Sequence, residues 1–155
     1  MTAWEWRDVL ADSVIPVQLL LVLGYSLHDW RHGLRRRAVR CGLLLAAGVL
    51  AVYGWQAVDV RSGLWLRAGW DYSTHTAAAA VLTGLLILQR PQQWAGWLLL
   101  GIAYAALMLW QQYHGLADIV STLLVIGASL AVPWWLALRD TPSGAADEGC
   151  LRRPQ

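Results

Sequence analysis

The sequence predicts an all-α integral membrane bundle of about five transmembrane helices, and three observations carry that prediction. Apolar residues make up 57% of the 155-residue chain and charged residues only 14%, against about 25% charged in ordinary soluble domains. So small a chain cannot hide that much apolar surface from water, whereas a bilayer accepts apolar side chains on its lipid-facing surface. Five segments approach the roughly 20 apolar residues that a spanning helix needs. Asp29 and Asp118 apart, the charged residues fall outside these segments.

The first predicted span, 13–30, contains Pro16 and Gln18. With the helix starting at Ser13, Pro16 falls in the first turn, where a missing N–H costs little. The others are 41–57, 73–89, 95–113 and 116–138. Each must be helical, because lipid offers no partner for an open backbone group. A basic loop is expected over 29–40 and a mixed loop with Arg61, Arg67 and Asp71 over 59–72, with a tight turn at Arg90-Pro91-Gln92-Gln93. Residues 1–139 thus form a transmembrane domain. The Gly-, Ser- and Ala-rich stretch 140–155 reads as a disordered cytoplasmic tail.

Orientation follows from the positive charges, all 12 of which are arginine. Arg31, Arg35, Arg36, Arg37, Arg40, Arg90, Arg139, Arg152 and Arg153 fall on one side of the predicted membrane, and only Arg7, Arg61 and Arg67 on the other. Arginine-rich short loops stay in the cytoplasm, so the N-terminus is expected outside and the C-terminus inside, in a bacterial inner (plasma) membrane. The 11 tryptophans fall near the two predicted interfaces, where amphipathic indoles prefer to sit. Cys41 and Cys150 differ too much in setting to suggest a disulfide, and two cysteines make no metal framework. The acidic start (Glu5, Asp8, Asp12) is unlike a cleavable signal peptide.

The candidate chemistry lies on the outer side. His75 opens the third span, His114 closes the fourth, and Asp118 follows one turn into the fifth. An ionisable group at a membrane span is expensive and points to function. His and Asp at this spacing can share a helical face. A carboxylate on one imidazole nitrogen fixes the tautomer and leaves the other as nucleophile or base, with His75 able to supply a proton. Asp71-Tyr72-Ser73-Thr74-His75-Thr76 opens a helix, and a helix N-terminus suits an anion such as phosphate. Ser73, Thr74, Arg61 and Arg67 are therefore candidate phosphate-binding residues. Taken singly, each of these polar groups also reads as an ordinary helix cap or headgroup contact.

Tyr72-Ser73-Thr74-His75-Thr76 and His114-Gly115-Leu116-Ala117-Asp118 resemble the second and third signature motifs of the type 2 phosphatidic acid phosphatase superfamily, Pro-Ser-Gly-His and His-x-x-x-Asp. The flavour is closest to the sphingomyelin synthase-like branch. Thr74 stands where the motif has Gly and Tyr72 where it has Pro. The family's first-motif Lys has no counterpart, and Met108 occupies the position of a third-motif Arg. The resemblance implies a metal-independent phosphatase or phosphotransferase without a cofactor, acting on a lipid phosphate or pyrophosphate. In it His114 is the nucleophile that forms a phosphohistidine, Asp118 orients it, and His75 is the acid. Membrane lipids are the other expected partners, and no nucleic acid is expected. Two other readings stay open. One is a non-catalytic membrane protein, either a degenerate relative or a small transporter or scaffold subunit. The other is a haem protein with His75 and His114 as axial ligands.

Overall fold

The computed structural model describes residues 5–139, which are helical almost throughout. The predicted tail, Cys150, Arg152, Arg153 and Trp4 lie outside the described residues. Five main helices alternate in direction: α1 (Glu5–Arg31), α2 (Arg35–Ser62), α4 (Thr74–Gln89), α5 (Trp94–Trp110) and α6 (Leu116–Arg139). A single turn, α3 (Leu64–Arg67), follows α2, and a 3₁₀ turn (Pro91–Gln93) leads into α5. The stretches 9–31, 35–62, 91–110 and 116–139 are each long and apolar enough to cross a membrane.

The remaining helix, α4, is different. Its 16 residues span about 24 Å at 1.5 Å per residue, short of the roughly 30 Å hydrocarbon layer. It packs against α1, α2, α5 and α6, and Ala77, Val81, Leu82, Leu85 and Leu86 are buried along it. The fold is therefore four long helices around a short central one, which meets protein on most sides and need not match the bilayer itself. Small residues let the neighbours approach. Gly48 of α2 lies directly against the Val81 side chain, and Gly84 of α4 against the ring of Trp134.

Several polar side chains find partners across helices. Gln18 donates from Nε2 to Thr83 Oγ1 at 3.1 Å, Trp55 Nε1 donates to Ser129 Oγ at 2.9 Å, and Gln89 Nε2 reaches Val22 O at 3.2 Å and Ser26 Oγ at 2.8 Å. A donor left unmade in this interior would carry its full desolvation cost.

Several boundaries differ from expectation. Most do so because helices outrun the apolar stretch that hydropathy reports, whereas α5 stops at Trp110, short of the expected 113, and the chain turns through Gln112 at φ 57°. α1 begins at Glu5, which puts Pro16 inside the helix and not in its first turn. α2 already starts at Arg35, so most of the expected basic loop is helical, since arginine is a good helix former wherever water or headgroups solvate it. The chain turns at His32-Gly33-Leu34, with Gly33 at φ 81°. At the other end α2 runs to Ser62 and stops on Gly63 in the left-handed region, φ 61°, where glycine carries no Cβ penalty. Trp65, assigned to the membrane boundary by its sequence, is instead 4% exposed. It sits edge-on to Tyr72 and donates to Ser121 Oγ at 2.9 Å.

Candidate functional site

The ends of the bundle carry different chemistry. At one end the turn before α6 meets the linker before α4. Asp118 lies in the first turn of α6, and its Oδ2 accepts from the Gly115 backbone N–H at 2.7 Å. That is the reach-back contact of a capping box, made here by an aspartate. Its Oδ1 accepts from the Asp71 backbone N–H at 2.8 Å. One carboxylate therefore caps α6 and clamps the α3–α4 linker to it. A second tie runs in parallel, from the Ser73 backbone N–H to Thr122 Oγ1 at 3.2 Å.

His114 sits in this clamp. Its Nδ1 is 3.9 Å from Asp71 Oδ2 and 4.0 Å from Asp118 Oδ2, the ring side chain being 12% exposed. Nδ1 is buried and makes no hydrogen bond within the protein. A lone pair facing two carboxylates would be repelled, so these surroundings favour the proton on Nδ1 and the lone pair on Nε2. Asp71, not singled out in the sequence as a partner, is 74% exposed. Nothing in local spacing reveals it, since its neighbour His114 belongs to a different helical hairpin.

His75 occupies a separate position at the same end. It is exposed and, with Thr74, lines a 260 Å³ cleft whose other walls are Asp12, Ile15 and Pro16 of α1 and Val52 and Tyr53 of α2. The start of α4 thus presents His75 toward α1 and α2, while His114 stands with Asp71 and Asp118. Ser73 caps α4: its Oγ accepts from the Thr76 backbone N–H at 3.2 Å and donates to Thr76 Oγ1 at 2.8 Å. It is fully buried, so its hydroxyl serves the helix start. Arg61 and Arg67, in the last turn of α2 and in α3, are exposed. Neither forms a hydrogen bond or ion pair among the described residues. Tyr72, in the linker, donates its hydroxyl to Val52 O at 3.0 Å, and burial pushes its pKa up to about 12.

An apolar path leads away from this end along α4. Two clefts of 320 and 340 Å³ share Ala80, Gly84 and Leu123. Leu98, Gly101 and Ile102 of α5 line one, and Ile126, Gly127 and Leu130 of α6 the other. These volumes fall at the lower end of the usual range for ligand pockets. Among the described residues, no group of three or more His, Cys, Asp or Glu is arranged to hold a metal ion.

No protein-family model matches the chain, and no curated protein or solved structure shows significant similarity to it.

Proposed function

We propose that the protein is a membrane-embedded phosphatase or phosphotransferase acting on a lipid phosphate or pyrophosphate, of the kind the two sequence motifs resemble. The observation that carries the reading is the pair of carboxylates, Asp71 and Asp118, facing Nδ1 of His114. They orient the ring so that Nε2 is the nucleophile. His114 Nε2 attacks phosphorus, and the bond between phosphorus and the leaving oxygen breaks. His75, set apart toward α1 and α2, gives that oxygen its proton from the neighbouring cleft in this reading, and Asp71 and Asp118 stabilise the imidazolium that forms. Water or a second alcohol then takes the phosphoryl group from His114, returning its proton to His75. The N-terminus of α4, with Thr74, offers backbone N–H groups to the phosphate, and Arg61 and Arg67, in the last turn of α2 and in α3, are the positive charges closest to it in sequence. The apolar clefts along Ala80 and Gly84 suit an acyl or prenyl tail. With the positive-inside rule, the site faces the outside of a plasma membrane and the arginine-rich end faces the cytoplasm.

The test is phosphate release by the purified protein in detergent from phosphatidic acid and from a prenyl pyrophosphate, with a chelator present, beside His114→Ala. Release that persists in chelator and vanishes in the variant is expected. Release that depends on added divalent metal, or that is equal in the variant, overturns the mechanism.

A second reading has its own observation. Asp118 and Ser73 both spend their polar atoms on helix starts and on the linker before α4, which is what a structural role alone requires. In that reading the protein is non-catalytic, His114→Ala leaves its cellular behaviour unchanged, and no lipid releases phosphate.

A further inference from the structure

The opposite end of the bundle holds the largest cavity described, 880 Å³, near the top of the range for small-molecule sites. Its rim is Arg35, Arg36, Arg37 and Arg40 from the first turns of α2, and its floor is Cys41, Leu88 and Gln89. Asp29 is the acidic group facing this cluster. It is 2% exposed and already paired with Arg37 Nε and Arg90 Nη2, each at 3.4 Å. Arg37 also donates to the Gln89 and Leu88 carbonyls, which holds it in place, and Arg40 reaches Ala137 O at 2.8 Å. Arg35 lies 5.5 Å over the ring of Trp30. Arg36 makes no hydrogen bond or ion pair among the described residues.

Two further features make this a site and not a solvated face. α2 begins here with no side-chain cap on Leu34; the Arg37 and Ala38 N–H groups bond back to Leu34 O, which leaves the N–H groups of Arg35 and Arg36 and the positive dipole end to meet an anion. Gln89, 2% exposed, lines the floor with Oε1 buried and unpartnered, although its Nε2 is satisfied. An unmet buried acceptor calls for a donor on the occupant.

We propose that this cavity binds the headgroup of an anionic glycerophospholipid from the adjacent leaflet. Its phosphodiester sits on Arg35, Arg36 and the start of α2, and a headgroup hydroxyl donates to Gln89 Oε1. The site is remote from His114 and independent of the phosphoryl-transfer reading. Its floor of Leu88 and Cys41 beside exposed apolar Leu34 and Val39 favours a lipid over a free anion, because the occupant's glycerol and first methylenes meet apolar wall.

The experiment is native mass spectrometry of the full chain in detergent, titrated with phosphatidylglycerol and with phosphatidylcholine of the same chains. Phosphatidylglycerol should be retained preferentially, with one tightly held copy. Arg35→Gln combined with Arg36→Gln should lower that retention by about tenfold. Arg139→Gln, which removes a charge at the same end but outside the cavity, should leave it intact. Equal retention of the two lipids, an unchanged preference in the double variant, or an equal loss in Arg139→Gln overturns the proposal. So does displacement of the lipid by millimolar inorganic phosphate, which would make the ligand a soluble anion. Circular dichroism and a monodisperse elution profile check that the variants are folded.

Discussion

The side chain of Asp118 accepts a hydrogen bond at 2.8 Å from the backbone N–H of Asp71, 47 positions earlier in the chain. That bond joins the linker before α4 to the start of α6, while the other carboxylate oxygen caps α6 itself. Asp118 therefore stabilises the bundle whatever its part in chemistry. Asp118→Ala should lower stability by about 2–4 kcal/mol, the sum of a lost cap and a lost charge-assisted bond. Asp118→Asn, which keeps one acceptor oxygen, should lose about half as much. Thermal unfolding in a fixed detergent measures both, and equal stability of the alanine variant would refute the clamp.

Asp71 separates orientation from stability. Its carboxylate is exposed and faces His114, while its structural contact is made by the backbone N–H, which any residue but proline supplies. Asp71→Asn should leave unfolding within about 0.5 kcal/mol of the parent. In a lipid phosphatase it should lower kcat roughly 10-fold to 100-fold, as expected when an imidazole loses an orienting carboxylate, with little change in KM. A fall in KM alone would contradict an orienting role.

Gly48 lies against the stiff, β-branched Val81, which is 4% exposed. Gly48→Ala should destabilise by about 1–3 kcal/mol through overpacking, and adding Val81→Ala should recover part of that loss. A double-mutant cycle of unfolding free energies reads the coupling.

Asp29 holds Arg37 and Arg90 together at the arginine-rich end. Removing one member of a fully buried pair costs about 3–5 kcal/mol. Here Arg37 is 41% exposed, and water recovers part of the loss, so Asp29→Ala should cost roughly 2 kcal/mol. Asp29→Asn should cost less, and added salt should affect the parent only weakly, since Asp29 itself is buried.

Tyr72 should remain protonated well into alkali, because burial raises its pKa from 10.0 to about 12. Above pH 10 the unfolded state loses this proton while the folded state keeps it, so the unfolded state binds fewer protons and stability falls with rising pH. The contribution is complete below pH 10 and is lost across the interval up to about 12. Ultraviolet titration of tyrosinate, comparing the parent with Tyr72→Phe, should show one late-titrating group missing in the variant.

The apolar spans were legible because a lipid solvent imposes a length on them, and Cys41 to Ala57 or Leu116 to Leu138 advertise it in composition alone. Ends were less legible. Glu5, Asp8 and Asp12 do not look membrane-like, yet they belong to α1, because outside the hydrocarbon layer backbone propensity and caps decide where a helix stops. That His75, His114 and Asp118 lie toward one end could be read from alternating spans. The approach of Asp71 to His114 could not, because it depends on the linker being pulled down by Asp118. The central position of α4 was also hidden, since an Ala- and Leu-rich run has the same hydropathy whether it meets lipid or protein.

A core helix shorter than its neighbours also constrains how the protein is made. Synthesis releases α1 and α2 first, then α4, and only afterwards α5 and α6, which complete the wall around it. Until the last of these arrives, a 16-residue segment must wait in the bilayer without its full set of neighbours, too short to hold its depth comfortably alone. The described bundle therefore reaches its final arrangement only when α6 is inserted, and a truncation that removes α6 should leave α4 without a settled place, however well the first two helices have been threaded.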